Sequence, residues 1–264
     1  MKLRRILVPA ALALALAAPA LQATLDLGLS ASEFAGDGEA TLRAASYAFG
    51  IWSLIYAALA AYAVWQALPR QRDDRWLDRI AGPAAIAIAG CGVWIIVSSA
   101  DWKWTSVAVI LGSAAAAITA VARGSRDAPP SRLHRWLALW PLALLAGWLT
   151  TASALNLLTV ATARGLIDAS IAAGAALAGI LAVVVTAAAV LWRTRVAIYG
   201  LPIAWGLVAV GVAEQAGKPA ISMAAFGAAG VVAVMALLAL RGRGASSLPQ
   251  GWRPTAPAEA APPA

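Results

Sequence analysis

The stretch YAFGIWSLIYAALAAYAVWQALPRQRDDR, Tyr47 to Arg75, decides which solvent the chain is built for. Its apolar part, within Ala45–Leu68, is long enough for a helix to cross the bilayer, since about 20 residues at ~1.5 Å each span roughly 30 Å of hydrocarbon. It ends at an arginine-rich connection. Phe49, Trp52 and Tyr56 follow one another at spacings of three and four residues, which places their rings on one face of that helix.

The rest of the chain has the same character. Its 264 residues are 62% hydrophobic and 12% charged, with a mean hydropathy of +0.78, whereas soluble domains are roughly 45–50% apolar and about 25% charged. Eight apolar segments run approximately Ile6–Thr24, Ala45–Leu68, Ile80–Ala100, Trp104–Ala122, Leu137–Ala163, Ile171–Trp192, Val196–Ala213 and Ala220–Leu240. The fold class they predict is all-α: a polytopic membrane helix bundle of about eight transmembrane helices. Every Asp, Glu, Lys and Arg falls in a connection, a tail or a helix end.

The charges alternate from one connection to the next. Lys2, Arg4 and Arg5 precede the first span; Arg70, Arg72, Arg75 and Arg79 join the second to the third; Arg123, Arg126, Arg132 and Arg135 join the fourth to the fifth. Arg193 and Arg195 join the sixth to the seventh, and Arg241, Arg243 and Arg253 follow the eighth, leaving Arg43, Lys103, Arg164 and Lys218 on the other side. The positive-inside rule then predicts cytoplasmic N- and C-termini. The net charge of +8 is thereby a topology signal, and no nucleic-acid partner is expected. A helical multi-pass protein fits an inner or plasma membrane, because bacterial outer-membrane proteins are typically barrels.

Two ends of the chain read differently from the middle. MKLRRILVPAALALALAAPALQA has the basic start and apolar run of a secretory signal peptide, and Ala18-Pro19-Ala20 resembles a cleavage site; with Pro19 inside the triplet, and an even span count needed for a cytoplasmic C-terminus, the segment is retained as a helix. Residues 241–264, rich in Pro, Ala and Gly, read as a disordered cytoplasmic tail. Small residues such as Gly174 with Ala178, and Gly227 with Gly230, are expected to let helices approach closely. One cysteine, Cys91, and one histidine, His134, exclude an intrachain disulfide and a Cys/His metal cluster.

The tryptophans separate by depth. Trp65, Trp76, Trp102, Trp104, Trp136, Trp140 and Trp192 sit at span ends or in loops, where indoles anchor helices at the headgroups. Trp52, Trp94, Trp148 and Trp205 lie inside spans, all in the half away from the arginine-rich connections. Such rings either pack the core, face lipid or line a pocket.

These residues resemble the translocator protein/TspO family of tryptophan-rich sensory proteins. FGIWSLIY, Phe49 to Tyr56, is similar to the family's FGxxW/WxxLY segment at the start of its second helix, with one residue fewer between Gly50 and Trp52. WLTTASALN, Trp148 to Asn156, is similar to its W-x-x-x-A-x-x-L-N pattern, matching at Trp148, Ala152, Leu155 and Asn156. CGVW, Cys91 to Trp94, stands where the family reads N-x-x-W. The departures are Cys91 for Asn, RAAS (Arg43 to Ser46) where prolines commonly stand, and Pro141 seven residues before Trp148.

The resemblance implies a TspO-like five-helix membrane core over residues 1–163, followed by three additional helices over 164–240. It implies a pocket for a flat apolar ligand, a porphyrin, haem-like tetrapyrrole or sterol, lined by Phe49, Trp52, Tyr56, Trp94, Trp148, Ala152 and Asn156 and used in sensing or regulation. Arg43 and Lys103 would lie at its mouth. Membrane lipid and the small planar ligand are the expected partners; the family also forms homodimers, whose geometry three unmatched helices keep from being carried over. No cofactor is required, and no catalytic or metal-binding residue is assigned.

Other functions stay open. A facilitative transporter of an apolar or amphipathic small molecule, or a non-catalytic membrane subunit, fits the same composition. Ion-coupled transport fits less well, because intramembrane charges usually serve it and the spans hold none. Asp26, Glu33, Asp37, Glu39, Asp101, Asp168 and Glu214 form no recognisable catalytic motif and read as a solvated acidic face, so an enzyme is not expected, porphyrin breakdown being the one activity some relatives suggest.

Overall fold

A computed structural model describes residues 3–241, and no β-strand occurs among them. Eight helices are long and apolar enough to cross a membrane: α1 Arg4–Thr24, α2 Ser46–Ala67, α3 Arg75–Ser99, α4 Lys103–Gly124, α5 Arg132–Ala163, α6 Ala172–Thr194, α7 Ala197–Glu214 and α8 Pro219–Arg241. The protein is an all-α, polytopic membrane bundle. The tail expected from residue 241 onward lies outside the described residues beyond Arg241.

Several helices begin before their apolar segments do, because polar caps extend them into the headgroup zone where hydropathy carries no signal. Asp74 accepts the Leu77 amide at 2.9 Å and starts α3 five residues ahead of Ile80. Ser131 caps α5 at Arg132 through the His134 amide. Inside α5 a π-turn, Arg135–Leu139, precedes Pro141. A proline there cannot donate the helical hydrogen bond, and a π-turn is the usual local adjustment.

Helix α5 is the centre of the bundle, touching α2, α4, α6 and α7, and every residue from Pro141 to Thr151 is buried. Helix α3 lies between α1 and α4, while α8 packs on α6 and α7. Since lipid is as apolar as leucine, helices associate through close packing and hydrogen bonds. Gly92 allows α1 onto α3: a Cβ there would lie 2.8 Å from the Leu14 carbonyl oxygen. Gly147 does the same for α5 and α7, where a Cβ would overlap the Tyr199 carbonyl. The expected pairs behave otherwise, since Gly174, Gly227 and Gly230 have open space where a Cβ would be; helix phase turned these glycines outward.

The arginine-rich end is tied by buried polar groups. Arg4, only 4% exposed, donates from Nε to Asp78 at 2.5 Å and from Nη1 to the Gln66 carbonyl at 3.1 Å, and Nη2 reaches the Gln71 and Arg72 carbonyls. One guanidinium thus joins α1, α2 and α3. Nearby, His134 sits edge-on to Trp65 at 4.9 Å and to Trp76 at 5.4 Å, with Nε2 at 2.6 Å from Asp74. Burial pushes the Asp74 carboxyl up, but the Leu77 amide and the His134 ring outweigh it and hold the carboxyl below its ordinary value. Trp65 and Trp76 are therefore interior residues and not headgroup anchors. The Trp76 indole N–H donates to Gly124 O at 3.1 Å, a carbonyl left free by the end of α4.

Removing Arg4 strands buried acceptors. Arg4→Ala is expected to destabilise the protein by about 2–4 kcal/mol, below the roughly 3–5 kcal/mol for a fully buried pair because Asp78 keeps some solvent. Arg70→Ala, at an exposed loop position, is expected to leave the unfolding midpoint in the same detergent unchanged.

Candidate functional site

The face predicted on α2 forms. Ser46–Gly50 is a 3-10 turn running into the α-helix at Ile51, and Phe49, Trp52 and Tyr56 are all half-buried. Trp52 stacks on Tyr56 with centroids 5.0 Å apart and planes 21° from parallel. Both Phe49 (6.5 Å, 74°) and Trp52 (6.2 Å, 80°) meet the same partner edge-on, the buried Trp148 of α5. Four of the seven sequence-predicted residues thus form one ring nest, in geometries aromatic quadrupoles prefer.

Trp94 and Asn156 belong to a second, polar nest. The Trp94 indole N–H donates to Asn156 Oδ1 at 3.3 Å, and Asn156 Nδ2 donates to Ser106 Oγ at 3.1 Å. The buried Asn156 amide thereby joins α3, α4 and α5. Ala152 lies one turn from both Trp148 and Asn156 on α5 and is half-buried between the nests. Cys91 does not replace the amide that the motif lacks there; its thiol donates to its own helix at Ala87 O, 3.3 Å away.

A cap covers the polar nest. The short helix Ala31–Gly36 is started by Ser30, whose hydroxyl accepts the Glu33 amide while Glu33 accepts the Ser30 amide. This reciprocal capping places Phe34, 1% exposed, edge-on to Trp94 at 6.0 Å and against Val107 and Val160. Lys103 reaches over the Phe34 ring at 5.0 Å and donates to Asp37 at 2.5 Å and Asp101 at 2.6 Å. Lys103 is buried, so it pins the cap and is not an open cation. Ser-x-x-Glu before Phe34 is a capping-box signature that the sequence displays, and it is the signal by which this cap could have been found.

Arg43 is at the surface, its side chain 48% exposed and paired with Glu39 at 2.6 Å. Its backbone is held from α7: the Arg43 amide donates to Glu214 Oε1 at 2.9 Å, and the Ala45 amide donates to Ala209 O at 3.0 Å. Lys218 bridges Glu214 Oε2 at 3.1 Å and the Glu39 carbonyl at 2.8 Å. The Trp205 indole N–H donates to Ala48 O at 3.1 Å. Glu214 read as one of several solvated acids; it is buried because the returning Arg43 backbone brings it a hydrogen-bond donor and Lys218 brings a charge.

A family model described as TSPO-like protein matches residues 5–238. The chain belongs to the TSPO-like protein family. No curated protein and no solved structure matches it. The family match runs through the three helices after α5 that the motif resemblance does not reach, and in this TSPO-like protein α7 holds the segment that starts α2. Among the described residues no group of three His, Cys, Asp or Glu side chains is placed to hold a metal ion. What the site offers is apolar area, two indole donors already engaged, and a half-buried stacked ring pair.

Glu214→Ala leaves the Arg43 amide and Lys218 without their acceptor. The expected loss is about 1.5–3 kcal/mol, the usual range for hydrogen bonds to a charged group, read as a lowered unfolding midpoint in one detergent. Glu39→Ala, which removes a surface carboxylate, is expected to leave that midpoint in place.

Proposed function

We propose that this TSPO-like protein binds a flat apolar ligand of the tetrapyrrole or sterol class for sensing or regulation, in a bacterial inner membrane with both termini cytoplasmic. The observation that carries the reading is the Trp52–Tyr56 stack. Two rings lie nearly parallel and half-buried, and Trp148 meets Trp52 edge-on. A planar ligand extends such a stack, each added ring pair being worth about 0.5–1.5 kcal/mol beyond the area it buries. Arg43 lies on the same end of the bundle, where a porphyrin carboxylate in water-rich surroundings would gain about 0–1 kcal/mol. The function so described needs no cofactor and no catalytic group.

Binding is tested by titrating purified variants with protoporphyrin and following its Soret band. Trp52→Leu and Trp148→Leu are expected to weaken binding by about tenfold or more, that is ~1.4 kcal/mol, in protein that still unfolds cooperatively. Trp192→Leu, at an exposed ring far along the chain from the nest, is expected to change nothing. Equal losses at Trp192 and Trp148 would refute the assignment.

The orientation has its own test. Native Cys91 is buried and should be silent to a membrane-impermeant maleimide. Ala40→Cys should be labelled in intact cells, and Ala128→Cys only after lysis. The reverse pattern would invert the topology.

A further inference from the structure

At the arginine-rich end, residues of α6 and α8 line a groove of about 470 Å³, within the ~300–1,000 Å³ range of small-molecule sites. Its walls are apolar, among them Ala188, Ala189, Met235 and Leu238. At its rim the Arg195 guanidinium lies 4.8 Å from the centroid of the Trp192 ring. Among the described residues Arg195 has no carboxylate within ion-pair distance. Trp192 is 76% exposed, so the stacked pair is offered outward.

The backbone at this rim is strained in a telling way. Arg195 ends α6 in the left-handed region, φ 54°. Helices commonly end so, but with glycine or asparagine. Among the described residues every other left-handed position holds Gly or Asp, whose presence there is ordinary. A Cβ-bearing, cationic side chain at a glycine position is a cost that a structural cap does not require.

We infer that this groove is a binding site for an anionic phospholipid of the arginine-rich leaflet, with one acyl chain between α6 and α8 and the phosphate on Arg195. The charges are complementary, since Arg193 and Arg241 flank the same end of the two helices and one basic residue at an anionic surface contributes about 1 kcal/mol. Stacking on Trp192 leaves the edge N–H groups of the guanidinium free to fork onto phosphate oxygens.

Native mass spectrometry of the full chain, delipidated and then given phosphatidylglycerol or phosphatidylcholine, tests this. The wild type should retain one phosphatidylglycerol that phosphatidylcholine does not replace and that millimolar inorganic phosphate does not displace. Arg195→Gly should lower that retention about fivefold without lowering the melting temperature, because glycine relieves the left-handed strain. Ala189→Phe, which fills the groove and keeps the charge, should lower it as well. Retention unchanged in both variants would overturn the site, and so would displacement by free phosphate. A photoreactive side chain at Ala189 that links to residues 242–264 or to a second copy of the chain, and not to lipid, would assign the groove to those occupants instead.

Discussion

Gly147 and Trp148 are neighbours on α5 and point about 100° apart, and the bundle depends on what each of them meets. Gly147 lets the first turn of α7 come so close that any side chain would strike the Tyr199 carbonyl. Trp148 fills the opposite need, giving Phe49 and Trp52 of α2 a common surface. One helix thus carries a close backbone approach and the ring nest on adjacent residues. A shift of α5 by even a fraction of an ångström toward α7 has nowhere to go, because a packed interior does not deform continuously. The position of the nest is therefore set in part from outside the first five helices.

Both ends of the bundle are held by charges that are buried, paired and placed at helix termini. Arg4 at one end and Lys103 and Glu214 at the other each serve several partners. A lone charge at such depth would be costly to desolvate, and its attraction to a single partner often fails to repay that cost. Sharing among carbonyls, amides and counter-charges changes the balance. Each terminal lock also joins elements distant in sequence, Arg4 to Asp78 and Glu214 to Arg43, so the termini restrain the helices where membrane packing alone is permissive.

Span number, the ring face of α2 and the unequal distribution of arginine were legible in the sequence because each has a period or a length that lipid imposes. The partition of the tryptophans was less so. Trp65 and Trp76 stand at the depth of headgroup anchors, yet a single histidine from α5 draws both inward, and no spacing along one helix reveals a contact among three. Glu214 likewise reads as a surface acid until the return of the Arg43 backbone is known. The seven residues expected to line one pocket split into a ring nest and a polar nest for a similar reason. Trp94 is near Trp148 in depth, but the rotation of α3 turns it to Asn156 and Phe34. Depth follows from counting; rotation about a helix axis follows only from packing.

The two nests bear differently on binding and on passage. The ligand proposed for Trp52 and Tyr56 would meet half-buried rings on α2, whose neighbouring positions Ser53, Leu54 and Ala57 are exposed, so it would arrive sideways from the bilayer with no polar contact broken. Passage to the arginine-poor surface is another matter. A route through the polar nest would part the Trp94–Asn156 bond and lift Phe34, and the cap above is held by the Lys103 pairs and by the Thr41–Thr162 hydroxyl contact at 2.6 Å. Those bonds are partly buried, where unpaired groups are costly, and they would have to open together. Under the proposed ligand-binding reading, lateral entry beneath this cap would suit holding a ligand better than conducting one.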